Sequence, residues 1–468
     1  MRIIITTNIS EYYPKKNLEY TLVVLSSILL GTWAVKDTIA LRNILLCSGS
    51  IFSIYYIVQE WRYGQLKEQC SIWKMLPLFL LGLTFVWVVS HYLLFSVEPL
   101  LQFQELESTW LRAFMAFVIG LASGLALRNH PNRLYLLWLG IFIAFCFLFY
   151  QYIPRALSQN KLLVPDYDHY LFHLKFNVVL MGMILIAGIC GILFDHLYAV
   201  AYRWSNLKPW YLLYWLLGNG LALWAFVYIV DSRNGTGLTF IFYSFWFIYA
   251  VVFFIKAQLH RLNVNKLLVL ILPSIGLCLT LFFLSLQVTV NNSWNNLVED
   301  VKIAIQIDQY PNWSNLRELG MPKRANGQPV VGNTYERVAW AVAGSRAIIA
   351  KPEGVGLLAY PFALNPHAPR KMIDGTNPNP FSTHSGWVEF GLAFGLPFLC
   401  LIFSALSLTF IEATRHSHPS RLTVVGFLVL IAFLFTVGEN STKHGVEILY
   451  YLLALLPALL LTTPSKKI

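Results

Sequence analysis

Long apolar runs, separated by short polar breaks, organise most of this chain. They fall at roughly 18–35, 39–58, 75–96, 110–127, 134–153, 176–198, 210–230, 237–255, 267–287, 387–411, 422–438 and 446–462. An α-helix rises ~1.5 Å per residue, so about 20 apolar residues cross the hydrocarbon core of a bilayer. Strands of a membrane barrel would be shorter and would alternate in polarity. A helix also satisfies its own backbone hydrogen bonds, as lipid requires. The pattern therefore predicts an all-α polytopic membrane protein of about 12 transmembrane helices. Nine lie in 1–287 and three in 387–468, with one large polar loop, 288–386, between helices 9 and 10.

Within that loop, Trp294 to Ile307 has Trp, Leu, Val and Ile at helical spacing. Pro- and Gly-rich stretches follow at 322–332 and 361–380. Between them the sequence predicts a helix from about Thr334 to Ala350, with Asn333 or Thr334 as N-cap and Lys351-Pro352 as the stop. The glycines Gly354 and Gly356 then read as a turn. The loop is too small and too polar for an enzyme domain with a large core of its own. It is expected to lie across the membrane mouth as a lid.

Composition sharpens this picture. Charged residues make up 12% of the chain and mean hydropathy is +0.59, against about 25% charged residues in soluble domains. The net charge of +11 reads as membrane orientation rather than nucleic-acid binding. With the N-terminus inside, the inner segments hold 17 of the 34 Lys and Arg, and the short outer segments hold eight. The remaining nine lie in 288–386, which is too long to obey the rule. Both termini are thus expected in the cytoplasm and the large loop outside. Lys15 and Lys16 precede a full-length span, which reads as a retained anchor. Of six cysteines, Cys47, Cys146, Cys190, Cys278 and Cys400 lie in or beside apolar spans and Cys70 in a short loop. That distribution predicts neither a disulfide framework nor a cysteine metal site.

A few polar residues remain as candidates for chemistry. Arg233, in DSRNGTG, runs against the inside bias for basic residues. It is an interfacial anchor, a partner for Asp231, or a phosphate ligand, with Gly235 and Gly237 letting backbone amides approach. Arg337 lies one turn into the loop helix, on the face of Trp340, Ala341 and Gly344. Lys323, Arg324, Arg346, Arg370 and Lys371 are rival cations in the same loop, and spacing does not choose among them. His384 opens the run into the tenth span, followed by Ser385 and, five residues on, by Glu389. A carboxylate at a membrane edge is costly unless paired, and Glu389 could orient the imidazole. Imidazole titrates near neutrality, which suits proton abstraction from a sugar hydroxyl. There is no HExxH, paired CxxC or P-loop. Glu299, Asp300, Glu353 and Asp374 are present but form no obvious glycosidase pair.

These residues resemble those of the O-antigen ligase family, within the wider group of Wzy-type polymerases and bacterial O-oligosaccharyltransferases. That family has about twelve spans, a large periplasmic loop between the ninth and tenth, an arginine after span seven and an arginine on a loop helix before a KP turn. It also has a His-[Asn/Ser/Gln]-x9-Gly motif. Here Arg233, Arg337 with Lys351-Pro352, and His384-Ser385 with Gly395 fill those places, while Phe398 stands where the motif usually ends in Gly, Thr or Tyr. The resemblance implies transfer of a glycan from undecaprenyl diphosphate to lipid A–core oligosaccharide at the periplasmic face of the bacterial inner membrane. It implies His384 as general base, Arg233 and Arg337 on the diphosphate, and Ser385, Glu389, Arg346 and Lys351 in support, with no metal or cofactor. A polymerase or a protein O-oligosaccharyltransferase of the same group remains open. So does a polytopic transporter or flippase, although the span centres carry almost no charge.

Overall fold

The computed structural model describes residues 15–62, 72–164, 175–201, 208–259, 266–290, 296–314, 316–359, 383–415, 418–438 and 443–461, with Asn206, Trp294 and Phe362. Cys70, Arg370, Lys371, Asp374 and most of the 361–380 stretch lie outside the described residues. The helices are α1 (Lys15–Ala34), α2 (Ile39–Arg62), α3 (Ile72–Phe95), α4 (Pro99–Glu105), α5 (Leu111–Leu127), α6 (Leu134–Gln159), α7 (Lys175–Ala201), α8 (Pro209–Trp224) and α9 (Arg233–Leu259). They continue with α10 (Lys266–Val290), α11 (Leu297–Ile305), α12 (Leu316–Leu319), α13 (Gly332–Ala350), α14 (Gly386–Arg415), α15 (Arg421–Val437) and α16 (Lys443–Leu459).

The protein is an all-α polytopic membrane protein. Among the described residues, nine helical stretches are long and apolar enough to cross a membrane. α15 and the His444–Leu459 stretch of α16 are shorter apolar helices. The sequence pattern explains the layering. Helix α7 is apolar all round and is buried along almost its whole length, as a helix at the centre of a bundle must be. Helix α3 lies at the periphery and exposes Phe79, Val86 and Leu93, which lipid would cover. α1 and α6 approach backbone to backbone where Gly31 faces Gly140, small-residue packing of the kind that holds membrane helices together.

Helix α15 is tied down at its start. Its first amides, Leu422 and Thr423, donate to the Asp195 carboxylate at 2.9 and 3.0 Å. An anion there satisfies otherwise orphaned donors and the positive end of the helix dipole. At the same end of the bundle, Arg128 donates to Glu60 at 2.9 Å and to the Leu461 carbonyl at 3.2 Å, all inside the protein.

Helix α14 is the departure from the pattern. Its apolar run continues unbroken, yet Gly395 has φ 73° and ψ −170°, and the two halves fold against each other. Phe390 lies 5.1 Å from Phe398, ring centre to ring centre. Only Leu396–Arg415 is therefore available as the continuous span, and Gly386–Phe394 returns alongside it. The tenth run thus holds a helical hairpin where the sequence predicts one helix.

The large loop has a compact core of its own: Ile303, Ala304, Ile307, Val330, Tyr335, Ala339, Trp340 and Ala343, continuing into Leu392 of α14. Buried Asp300 receives Arg324 through two hydrogen bonds of 2.6 and 3.0 Å and the Val331 amide at 3.2 Å. This pairing holds the Arg324 guanidinium above its ordinary value. Tyr335 is fully buried; its hydroxyl donates to the Tyr310 carbonyl at 2.7 Å and accepts from the Trp313 amide at 3.1 Å. Helix α13 begins at Gly332 with Val331 in the capping position, two to three residues before the expected cap at Asn333 or Thr334, and ends at Lys351 as expected. The first amphipathic helix is shorter than expected, spanning Leu297–Ile305.

Candidate functional site

A π-turn, Ala225–Ile229, follows α8 and precedes the residues that matter most. Such turns re-aim the chain and recur at functional sites. Asp231 then takes a left-handed conformation, φ 44°. Ser232 Oγ accepts the Gly235 amide at 3.3 Å, capping the start of α9. Arg233 is thereby the first residue of a helix rather than part of a loop, and donates to Thr334 Oγ1 of α13 at 3.3 Å. The expectation for Gly235 and Gly237 does not survive. Both lie inside α9; the Gly235 amide goes to Ser232, and a Cβ at Gly235 would strike the Phe226 ring. Gly235 is a packing glycine.

Arg337 donates to the Val437 carbonyl at 3.1 Å, and Asn234, next to Arg233, reaches the same oxygen at 3.5 Å. Val437 ends α15, so these donors meet the negative end of that helix. The next carbonyl, Gly438, accepts the Gly386 amide at 2.8 Å. His384 sits two residues before Gly386, in left-handed backbone with φ 52°. Left-handed backbone away from glycine is uncommon, and such strain gathers at functional sites. Its ring stacks on Trp340 of α13 at 5.5 Å and 21°, and Trp340 Nε1 donates to the Trp313 carbonyl at 3.0 Å. Three distant segments, carrying Arg233, Arg337 and His384, thus meet around the C-terminal end of α15.

Lys175 belongs to the same place and sequence reading missed it. Its ammonium donates to the Asp231 carbonyl, and Asp231, Arg337 and Arg233 all lie within its electrostatic reach. Gln287 Nε2 donates to Asp231 Oδ1. Lys175 had one available signal: like Arg233, it is a basic residue in a short segment that the charge bias assigns to the outer side.

The supporting residues divide. Ser385 is buried, with its carbonyl accepting from Thr383 Oγ1 at 3.0 Å. Glu389 lies wholly inside the protein in the first turn of α14. Arg346 is not part of the cluster: it pairs with Asp308 at 2.8 Å, with both side chains exposed. It lies roughly 13 Å farther along α13 than Arg337. Lys351 closes the far end of that helix, about 20 Å from Arg337, and stands within reach of His91 instead.

That far end explains the Gly-rich turn. Pro397 has no amide to give Ala393, and the bend at Gly395 frees neighbouring carbonyls. The Val355 amide donates to Leu392 O at 2.8 Å, Gly356 to Ala393 O at 2.6 Å, and Trp87 Nε1 to Phe394 O at 2.8 Å. Leu396 donates back to Pro352 O at 2.7 Å. Gly354 and Gly356 have φ of 89° and 86°. The turn serves as a splint for the broken helix, and α13 and the returning half of α14 run side by side between it and His384. Phe398, the motif's departure, is fully buried against Trp110 and Phe390.

Among the described residues, no group of three or more His, Cys, Asp or Glu is placed to hold a metal ion. No protein-family model matches the chain, and no curated protein does.

Proposed function

We propose that this protein is a membrane glycosyltransferase of the O-antigen ligase type, moving a glycan from undecaprenyl diphosphate to lipid A–core oligosaccharide. The observation that carries the reading is the meeting of Arg233, Arg337 and His384 at the end of α15. In this reading His384 takes the proton from the acceptor hydroxyl, and the resulting oxygen attacks the anomeric carbon. The carbon–oxygen bond to the diphosphate breaks as the new one forms, inverting the centre. Negative charge grows on the departing diphosphate, where Arg233, Arg337 and Lys175 stabilise it. The apolar helices accommodate the polyprenyl tail, and membrane lipid surrounds them. In this reading the chain crosses the membrane twelve times, with the loop and the site in the periplasm and both termini in the cytoplasm, an orientation that the bias of basic residues supports.

The test is transfer by purified protein in detergent, where no gradient exists, from undecaprenyl diphosphate-linked glycan to lipid A–core. Product formation is expected; its absence with both substrates bound overturns the reading. Deleting the gene and resolving lipopolysaccharide on a gel separates the members of the group. Loss of all core-attached polymer marks a ligase, a single repeat unit a polymerase, and unchanged lipopolysaccharide with an unglycosylated protein a protein transferase.

A further inference from the structure

A second cluster of charge lies at the same end of the bundle as Val437, on other helices. Glu447, in the second turn of α16, is completely buried. It accepts Trp33 Nε1 at 2.7 Å, and Arg112 and His444 approach it at 3.7 Å. Arg42, in the first turn of α2, is 4% exposed and lies within electrostatic reach of both Glu447 and Arg112. Among the described residues its guanidinium makes no hydrogen bond or ion pair, yet none of its nitrogens is among the fully sealed polar atoms. Two guanidiniums face one carboxylate, so the cluster holds one positive charge in excess. Inside a membrane protein a charge without a partner is expensive, and such residues commonly serve a ligand.

We infer that Arg42 and Arg112 bind a phosphate group at the lipid-facing edge between α2 and α5. The planar donor fork of arginine matches phosphate oxygens. Arg42 lies in the first turn of α2, roughly 5 Å from its end and at the level where headgroups sit, and Arg112, inside the helical run Pro99–Leu127, lies within electrostatic reach of it. Exposed Ile39, Leu41, Ile44, Leu111 and Phe114 flank them with apolar surface suited to acyl chains. Glu447, held by Trp33, offsets one of the two guanidinium charges and leaves the other in excess. This site is separate from Arg233, Arg337 and His384 and does not depend on what they do.

The experiment is binding and melting of the purified protein in neutral detergent with added phosphatidylglycerol, phosphatidylcholine or inorganic phosphate. Phosphatidylglycerol is expected to raise the melting temperature more than phosphatidylcholine does, and to remain on the protein in native mass spectrometry. Arg42→Met is expected to bind it about tenfold more weakly, the loss of one charge-assisted contact. Stabilisation by phosphatidylglycerol alone assigns a lipid headgroup; stabilisation by inorganic phosphate as well assigns a site open to free phosphate. Equal effects of all additives on the wild-type protein, or an unchanged preference in Arg42→Met, reduce the cluster to an internal ion network. Should Arg42→Met fail to fold, the wild-type preference and Arg42→Lys, which keeps charge but loses the fork, decide the question by the same readouts.

Discussion

Trp387 rests against Phe403, with ring centres 5.0 Å apart. In an unbroken helix those two positions would stand about 24 Å apart. The contact follows from the reversal at Gly395, and it brings the start of α14 level with the end of α15, where the Trp387 indole donates to the Ala432 carbonyl at 3.1 Å. His384 reaches the site because the helix behind it turns back.

Gly395→Ala is expected to destabilise this arrangement. A Cβ there would lie 2.0 Å from the Pro352 carbonyl, on a backbone with φ 73°. Left-handed strain alone costs about 1–3 kcal/mol. A melting temperature equal to that of the wild type would mean that the reversal does not need a glycine.

His384→Ala is expected to abolish glycan transfer while the diphosphate donor still binds. Donor retention measured by filter binding, beside product formation, separates the two. Normal transfer by this variant would remove the imidazole from the proposed chemistry.

Arg233→Ala and Arg337→Ala are each expected to lower kcat/KM for the lipid-linked donor by about 2–4 kcal/mol of transition-state stabilisation. The Arg337 change also strips a donor from the end of α15, so Arg337→Lys serves as its companion. Unchanged kinetics at either position would leave that arginine with an anchoring role only.

The loop is expected to weaken at high pH through Tyr335. Burial pushes its phenol up to about 12, with the Trp313 amide opposing the shift. In the unfolded chain the group titrates near about 10. The neutral phenol is therefore favoured by folding, and its contribution is complete below pH ~10 and lost as pH rises through about 12. Melting curves taken from pH 9 upward should show this decline, and Tyr335→Phe should flatten it.

The helices were legible because lipid demands long apolar runs, and the runs at 176–198 and 422–438 correspond closely to α7 and α15. The hairpin in α14 was not legible from hydropathy, because both of its halves are apolar; only Gly395 and Pro397 mark it. Arg233, Arg337 and His384 could be chosen because residue type and spacing, with the family resemblance, pointed to them. The group that gathers their segments, through Asn234, Arg337 and the Gly386 amide, is the backbone carbonyl pair of Val437 and Gly438, and carbonyls have no signature in a sequence. Gly235 was misleading for a related reason: glycine admits close approach, but the letter does not say whether a ligand or the Phe226 ring approaches.

Because the end of α15 is the meeting point, the site has a birthday late in the life of the chain. A ribosome that has delivered Arg233, Arg337 and even His384 into the membrane has still not made the strut on which they converge. Until Val437 emerges and takes its place, the nascent protein carries all three side chains and not the helix end around which their segments meet.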